Sequence, residues 1–509
     1  MRDLEQKSEL PELPFDGRLL AKNSLWNLVG WGAPLLVALA VIPLLIKGLG
    51  IERFGVLTLI WMGIGYFSLF DIGLGQALTK LVAEKLGVER PEEISKLIWT
   101  ALIWMGILGI AGTALVALLS PWLVHDALKI PQSLRTEALL SFYFLAASIP
   151  VVIASAGLCG VLEAYQRFDL ANAVRLPMGL FNFLSPLFIL LISHSLAAIV
   201  GALIIGRMVG CLAYFWLCLR VIPSLSKVSV DRRALRPLLS FGGWMTVTNI
   251  IGPLMVYMDR FLIGVFVSMA AVAYYTTPYE VVIRLTIIPV ALMGVLFPAF
   301  STCLVQDRTR AVMLFDRGVN YIFLTLFPLT LAIVTLAKEV LEIWLGLEFS
   351  QHSTAVLQWL AVGVFINSLA RVPFAAVQAL GRPDAIAKLH VLELPFYLGA
   401  LGWLLSAYGI YGAAMAWTFR VSLDTLIMFA MAYRFVPETM ASINRLAGMV
   451  GAALLVFLFC SLAPDLHLRA LLLCLTLAIF TLAAWFFILK PQERHLFKGK
   501  LRFFSLLSG

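Results

Sequence analysis

Charged residues are scarce in this chain. Asp, Glu, Lys and Arg make up only 13% of its 509 residues, whereas soluble domains carry about 25%. The polar gaps between its apolar segments are short, so almost no chain remains to form a domain outside a membrane. We therefore expect no soluble catalytic domain, and any function must be carried by groups inside a bundle of membrane helices.

Motifs that would indicate enzymatic or metal chemistry are also missing. The sequence has no Walker A motif for ATP hydrolysis and no set of metal ligands at a characteristic spacing. Its six cysteines form no CxxC pair and are interpreted as small apolar packing residues, and its six histidines are scattered. The sequence thus predicts no catalytic residue, no metal site and no cofactor, and a protein that is not an enzyme.

Long apolar runs are what the chain has in abundance: 61% of its residues are hydrophobic and the mean hydropathy is +0.94. A helix needs about 20 apolar residues to cross about 30 Å of hydrocarbon. The sequence therefore predicts an all-α polytopic membrane protein with about 14 transmembrane helices. These are expected at 20–46, 54–79, 97–120, 138–162, 171–193, 196–219, 237–266, 272–301, 313–337, 354–380, 386–407, 411–433, 446–463 and 468–489.

Lys and Arg residues concentrate in every second gap between these helices. Large basic clusters lie at 80–96, 220–236 and 490–502, whereas the alternate gaps hold only Lys47, Arg53, Lys129, Arg135, Lys338 and Arg469. Because cytoplasmic loops are enriched in Lys and Arg, both termini are predicted to be cytoplasmic, in a bacterial inner membrane. The net charge of +9 is then a topology signal, and no nucleic-acid partner is expected.

The two halves of the chain share weak sequence similarities. QRFD at 166–169 follows the fourth predicted helix, and GRPD at 381–384 follows the tenth. Six helices in each half would make a parallel repeat, with two lobes around a cleft that rock to give alternating access. The predicted division is a cytoplasmic N-terminal segment (1–19), an N-lobe of helices 1–6 (20–221), a cytoplasmic linker (222–236), a C-lobe of helices 7–12 (237–434), helices 13 and 14 (435–489), and a basic cytoplasmic tail that contacts membrane lipids (490–509).

Ionisable residues inside the predicted helices are candidates for function, because a charge there costs several kcal/mol or more. The cations are Arg207, Arg260, Arg284, Arg371 and Arg420, and the anions are Asp71, Asp259, Glu280, Glu393 and Asp424. Two interpretations stay open for each of them. It can hold helices together through ionic contacts, or it can line a water-filled cleft that accepts an anionic substrate.

Helical spacing separates these residues into pairs. Glu280 and Arg284 are four residues apart, as are Arg420 and Asp424, so each pair can neutralise itself on one helix face. For Arg420, Asp424 and Glu393 the structural interpretation is favoured. Tyrosines near helices 7 and 8 could stack on sugars, but for Tyr274 and Tyr275 location at the membrane interface is the favoured explanation.

Asp259 and Arg260 are neighbours that point about 100° apart on a helix, so each needs a partner on another element. Arginine presents forked donors that suit phosphate oxygens and keeps its charge. Buried carboxylates can take up a proton or bind Na⁺, so H⁺ or Na⁺ is a candidate coupling ion. The predicted substrate-binding residues are Arg284, Arg260, Arg53 and Arg371, and the predicted ion-coupling or gating residues are Asp259, Asp71 and Glu280.

Several short segments carry a family resemblance, which extends over residues 20–435. They are NSLWN at 23–27 with Pro34, GIERFG at 50–55, FDIGLG at 70–75, YMDRFLIG at 257–264, AYY at 273–275 and GRP at 381–383. With these segments the chain resembles the bacterial polysaccharide flippases of the O-antigen type. These are polysaccharide transporters of the multidrug/oligosaccharidyl-lipid/polysaccharide exporter superfamily.

The resemblance implies two six-helix lobes around a central cavity lined by helices 1, 2, 7 and 8. It also implies export of undecaprenyl-pyrophosphate-linked repeat units to the outer leaflet for surface polysaccharide, with polymerase and chain-length proteins as partners. The near balance of buried charge departs from the cationic cavity of the related lipid II flippases. Two alternatives stay open: a cation-coupled exporter of drugs or other small molecules in the same superfamily, and a membrane glycan polymerase or ligase.

Overall fold

The computed structural model describes residues 36–67, 73–86, 91–231 and 254–488, together with residues 34, 70 and 238. Every regular element in these ranges is helical, which confirms the all-α fold. The chain forms two compact units, Met1–Ile250 and Ile251–Gly509.

The first unit is built from eight helices within the described ranges. They are α1 (Leu36–Leu49), α2 (Ile51–Tyr66), α3 (Leu74–Leu86), α4 (Pro91–Trp122), α5 (Arg135–Ala147), α6 (Ile149–Ala164), α7 (Phe168–Leu190) and α8 (Leu196–Val221). Gly50, at φ 80°, separates α1 from α2, a conformation that glycine adopts without steric cost. The prediction of a single helix at 54–79 is wrong. The start of that range belongs to α2 and its end to α3, and Gly73, just before α3, has a left-handed φ of 69°.

The second unit continues with ten helices in the described part of the chain. They are α9 (254–266), α10 (Met269–Val282), α11 (Ile287–Gln306), α12 (Arg308–Thr335), α13 (Ala337–Leu345), α14 (Leu347–Leu369), α15 (Arg371–Ala379), α16 (Pro383–Phe435), α17 (Met440–Ser461) and α18 (Leu466–Ala483). Side chains cap the N-termini of two of these helices. The Ser268 hydroxyl accepts a hydrogen bond from the Ala271 N–H at the start of α10, and the Asp307 carboxylate accepts one from the Arg310 N–H at the start of α12, both at 3.1 Å.

Ten stretches in the described ranges are long and apolar enough to cross a membrane. The chain is thus a multi-pass membrane protein. The number 14 stays a prediction, since much of predicted helices 1 and 7 lies outside the described residues. Predicted helix 8 (272–301) overlaps the apolar helical span Met269–Gly294, which a 3₁₀ turn at Ile283–Thr286 interrupts between α10 and α11.

Helix α16 contains a tight reversal at Gly409, which has non-helical φ 59° and ψ −142°. A Cβ placed on Gly412 would lie 1.9 Å from the Leu404 carbonyl oxygen, so the chain folds back closely on itself. The two halves of α16 thus form a helical hairpin, as the predicted helices at 386–407 and 411–433 with their short turn require.

The two weakly similar segments adopt the same local geometry. Gln166, at φ 57°, and Gly381, at φ 74°, both have left-handed backbone. The next residue in each case is an arginine that binds the aspartate two positions later: Arg167 to Asp169 at 2.9 and 3.0 Å, and Arg382 to Asp384 at 3.3 Å. Helices α7 and α16 begin directly after these arginines, so the sequence repeat corresponds to a repeated turn.

The last two helices of the second unit pack onto its other helices through phenylalanines. Phe327 of α12 stacks on Phe457 of α17 at 5.4 Å and contacts Phe480 of α18 at 4.6 Å between ring centroids. Arg469 of α18 also forms an ion pair with Glu339 of α13 at 2.9 Å. Residues 440–483 therefore share an aromatic core with this unit.

Candidate functional site

Helices α9 and α10 fold back on each other and bring Asp259 against Tyr275. The Tyr275 hydroxyl donates to Asp259 Oδ2 at 2.6 Å, and the backbone N–H of Arg260 donates to Asp259 Oδ1 at 2.7 Å. Asp259 is fully buried. Its two donors satisfy a carboxylate that would otherwise be costly at this depth.

The Arg260 side chain reaches helix α10. Its Nη2 lies 3.1 Å from Glu280 Oε1, and its guanidinium lies over the rings of Tyr279, at 4.4 Å, and Tyr257, at 5.2 Å. Only 3% of the Arg260 side chain is exposed. The arginine is thus held by one carboxylate and two aromatic faces, which favour a desolvated cation.

Glu280 bridges Arg260 to a second arginine. Its other oxygen, Oε2, lies 3.3 Å from Arg284 Nη2, and 41% of the Arg284 side chain is exposed. Arg284 stands in the 3₁₀ turn Ile283–Thr286, at the point where α10 ends. Asp259, Arg260, Glu280 and Arg284 form what we call the charged row, which runs from a fully buried carboxylate to an accessible guanidinium.

The charged row tests two interpretations made from helical spacing and one made from the preference of tyrosine for the membrane interface. The i,i+4 pair of Glu280 and Arg284 is confirmed. Asp259 and Arg260 each find a side-chain partner on α10, as predicted for adjacent residues that cannot pair with each other. The interface explanation of Tyr275 is wrong, because this side chain is completely buried and its hydroxyl binds Asp259.

Arg53, in the first unit, is held in a two-pronged ion pair. Its Nε and Nη2 donate to the two carboxylate oxygens of Glu137 at 3.2 and 3.1 Å. Glu137 also accepts the backbone N–H of Leu196, the first residue of α8. Arg53 thus links α2, α5 and α8, and its donors are directed at Glu137. The sequence did not single out Glu137, since it lies at the outer end of a predicted helix.

The remaining predicted residues are placed differently. Asp71 lies outside the described residues. Arg371 begins α15, and it is not bonded to the charged row in the described part of the chain; its electrostatic partner is Asp424.

The predicted pairing of Arg420 with Asp424 is wrong. Asp424 faces His390 at 3.5 Å, and the Arg420 guanidinium instead lies 5.2 Å from the ring of Tyr397, because the hairpin of α16 offers both residues partners on its other half.

Sequence reasoning missed Trp417 and a cluster of three titratable residues. Trp417 packs edge-on, at 5.7 Å, against Tyr279, one of the tyrosines considered near predicted helices 7 and 8, and so supports the aromatic face on which Arg260 rests. His390, Glu393 and Asp424 have ligand atoms within 4.8 Å of one another, although the sequence predicted no metal-ligating cluster. The H-x-x-E spacing was a local signal, but the contribution of Asp424 depends on the hairpin.

Comparison with known sequences adds to this geometry. The profile of a family described as polysaccharide biosynthesis protein matches residues 48–354. A Shigella flexneri protein named "Putative O-antigen transporter" is 34% identical over 417 residues, covering 80% of this chain and 96% of that protein. A Haloferax volcanii protein named "Probable low-salt glycan biosynthesis flippase Agl15" is 25% identical over 240 residues, covering 47% of this chain and 50% of that protein.

Solved structures share the fold. A multidrug resistance MATE family transporter of the MOP superfamily, in an inward-facing conformation, aligns with a TM-score of 0.68 over 83% of this chain and 99% of its own, at 14% identity. An outward-facing structure of such a transporter aligns with a TM-score of 0.59 over 83% of this chain and 96% of its own, at 16% identity. At these identities the likeness establishes the transporter fold alone.

Proposed function

This chain belongs to the family of polysaccharide biosynthesis proteins, and we propose that it is a flippase that exports lipid-linked oligosaccharide repeat units. The carrier is undecaprenyl pyrophosphate, the membrane is the bacterial inner membrane, and the products serve O-antigen or other surface polysaccharide. The similarity to a protein named as an O-antigen transporter, over nearly all of its length, supports this function.

The observation that carries the proposal is the accessible end of the charged row. Among the described residues, Arg284 pairs with one oxygen of Glu280, and 41% of its side chain is exposed and can meet a ligand. A pyrophosphate oxygen can replace that carboxylate with no loss of charge pairing, and a forked guanidinium suits phosphate geometry. Arg260 is enclosed, so we assign it a positioning role: it holds Glu280 in place from behind. Arg53 and Arg371 are proposed as secondary anion contacts that act when their present partners move.

Coupling to an ion is proposed for the carboxylates Glu280, Asp259 and Asp71, with H⁺ or Na⁺ as the ion. Glu280 is the best placed of the two described residues, because its side chain is 39% exposed and can exchange a cation with water. Asp259 is closed off by its two donors and acts as a gate only if Tyr275 moves. A substrate with two negative charges also leaves a negative-inside cell downhill by about 5 kcal/mol per 100 mV if it moves uncompensated.

The transport cycle is proposed to be alternating access by the two six-helix lobes, with both termini in the cytoplasm. Membrane lipids surround the bundle, and polymerase and chain-length proteins receive the exported units. Each lobe in this scheme corresponds to one run of repeated helices, and the repeated turns at Gln166 and Gly381 support such a duplication.

Deletion of the gene tests the proposed function. The deletion strain is expected to lose surface glycan and to accumulate lipid-linked repeat units, and the wild-type gene restores both. The Arg284→Ala variant is expected not to restore them, whereas Arg308→Ala, which removes an exposed arginine from a pair with Glu438, restores them fully. Normal glycan in the deletion strain together with a changed tolerance to drugs would instead support a small-molecule exporter.

A further inference from the structure

Three side chains outside the charged row converge within the hairpin of α16. His390 and Glu393 are three residues apart, so they share one face of its first half. Asp424 lies on its second half, and nearly equal lengths of chain separate Glu393 and Asp424 from the reversal at Gly409. The hairpin therefore places them opposite each other. The ligand atoms of His390, Glu393 and Asp424, which we call the triad, all lie within 4.8 Å of one another.

Three of the four carboxylate oxygens of the triad are buried and have no hydrogen-bond donor among the residues that the structure describes. Glu393 is 6% exposed and Asp424 is 8% exposed. Within the described residues, no hydrogen bond reaches either oxygen of Glu393 or Oδ1 of Asp424. The nearest imidazole nitrogen, Nε2 of His390, lies 3.5 Å from that Oδ1. Lone pairs of a carboxylate at this depth are costly unless a cation or a donor meets them. Two carboxylates aimed at one point therefore indicate a cation between them.

The neighbouring arginines do not supply the cation between the two carboxylates of the triad. Arg420 lies over the ring of Tyr397 and interacts electrostatically with both Glu393 and Asp259. Arg371 interacts electrostatically with Asp424. Neither arginine is within ion-pair distance of a triad oxygen in the part of the chain that the structure describes. They offset the charge of the carboxylates from a distance and leave the lone pairs accessible.

The surroundings of the triad are partly apolar. Ile386, Leu389 and Met428 belong to one apolar cluster, and each lies within four residues of His390 or Asp424 along α16. The His390 side chain, in contrast, is 33% exposed. A cation can therefore exchange past the imidazole, while the apolar side excludes water and strengthens binding.

We propose that His390, Glu393 and Asp424 bind one small exchangeable cation, a proton or a metal ion. One imidazole nitrogen with two carboxylate oxygens is a donor set for first-row divalent metals, and the same lone pairs bind protons. The site is separate from the residues proposed above for coupling, Asp259, Glu280 and Asp71. The existence of the site does not rest on the proposed function; only its use to drive export does.

Thermal unfolding of the purified full-length protein in detergent tests the proposal, because a ligand that binds only the folded state raises its Tm in a saturable way. One arm titrates chelator-treated protein with Zn²⁺, Mn²⁺ or Na⁺ at fixed pH. The other arm varies pH with chelator present and no added metal. We expect a saturable rise in the Tm in one of the two arms. A rise with added metal identifies the ligand as a metal ion, and a rise with pH alone identifies it as a proton.

The variants Glu393→Gln and Asp424→Asn are expected to abolish that response. His390→Asn, at a half-exposed position that tolerates change, is expected to shift the midpoint of the titration by about tenfold. Asp384→Asn, which alters an exposed carboxylate of the same helix, keeps the wild-type response. No response in either arm, or equal responses in wild type, Glu393→Gln and His390→Asn, overturns the proposal. Because glycan export is not measured here, failure of this test leaves the flippase proposal to its own experiment.

Discussion

At the scale of single residues, the two arginines of the charged row differ in what surrounds them. Arg260 is enclosed by Tyr257, Tyr279 and Glu280, whereas Arg284 pairs with Glu280 and has an exposed side chain. Identical side chains on adjoining elements can thus have different tasks. One organises the row, and the other is available to a ligand.

We expect Arg284→Ala and Arg260→Ala to separate these tasks. Arg284→Ala removes an exposed i,i+4 pair worth about 0–1 kcal/mol, so the purified protein keeps its Tm while export is lost. Arg260→Ala removes a desolvated cation from two aromatic faces, which costs about 2 kcal/mol or more and lowers the Tm. The measurements are thermal unfolding and restoration of surface glycan in the deletion strain. A large drop in the Tm of Arg284→Ala would show that this residue is structural.

Tyr275→Phe is expected to destabilise the protein by about 1–3 kcal/mol, because it removes a donor from a fully buried carboxylate. Tyr274→Phe is the matched control. It deletes the same hydroxyl from a contact with Glu348, a residue at an exposed helix start, and should cost less. Chemical unfolding of both variants checks the difference. Equal losses would contradict the role assigned to Tyr275.

At the scale of helices, the hairpin of α16 sets the register that the triad requires. Gly412 meets the Leu404 carbonyl, so a side chain there has no space. A backbone atom cannot rotate away as a side chain can. The closeness of the two helical halves therefore depends on glycine at this position.

Gly412→Ala is expected to destabilise the protein by about 1–3 kcal/mol through overpacking. It also separates the two halves of α16 and weakens the cation response of the triad. Gly402→Ala, on the same helix but with no atom within 4 Å of the added Cβ, is the control and should be close to neutral. Unfolding curves and the cation titration measure both effects. An unchanged Tm for Gly412→Ala would mean that the hairpin is more open than described.

The sequence predicts these helices well where each one is a single apolar run. Predicted helices at 171–193 and 196–219 correspond to α7 and α8. Hydropathy detects the break at Gly50, which falls between the predicted helices at 20–46 and 54–79, but it does not detect the end of α2 at Tyr66 or the 3₁₀ turn at Ile283–Thr286. Hydropathy averages over a window and does not report backbone geometry, such as the left-handed Gly73 that precedes α3.

The candidate site shows the same division between local and tertiary information. The pair of Glu280 and Arg284 follows from helical spacing alone. The pairing of Asp259 with Tyr275, and of Asp424 with His390, depends on how one helix packs on another. No periodicity in the sequence encodes that packing, and for this reason Arg420 and Asp424 were paired wrongly.

At the scale of the whole molecule, family and fold agree with the resemblance found in the short segments. The part of this chain that the family profile matches, residues 48–354, contains the segments GIERFG, YMDRFLIG and AYY, and the match confirms the resemblance. The fold is that of MATE transporters of the MOP superfamily. The fold is shared by transporters of different cargo, so the cargo must be argued from the charged row and the relatives.

The central claim is that this protein moves a lipid-linked oligosaccharide from the inner to the outer leaflet. The most direct measurement labels the repeat unit with a membrane-impermeant reagent in spheroplasts of a strain that lacks the polymerase, so that the lipid-linked pool persists. With the wild-type protein or Arg308→Ala, we predict that the pool is labelled from outside. With the gene deleted or with Arg284→Ala, the pool should be protected until the membrane is opened. Equal labelling in the deletion strain and the wild type would contradict the account.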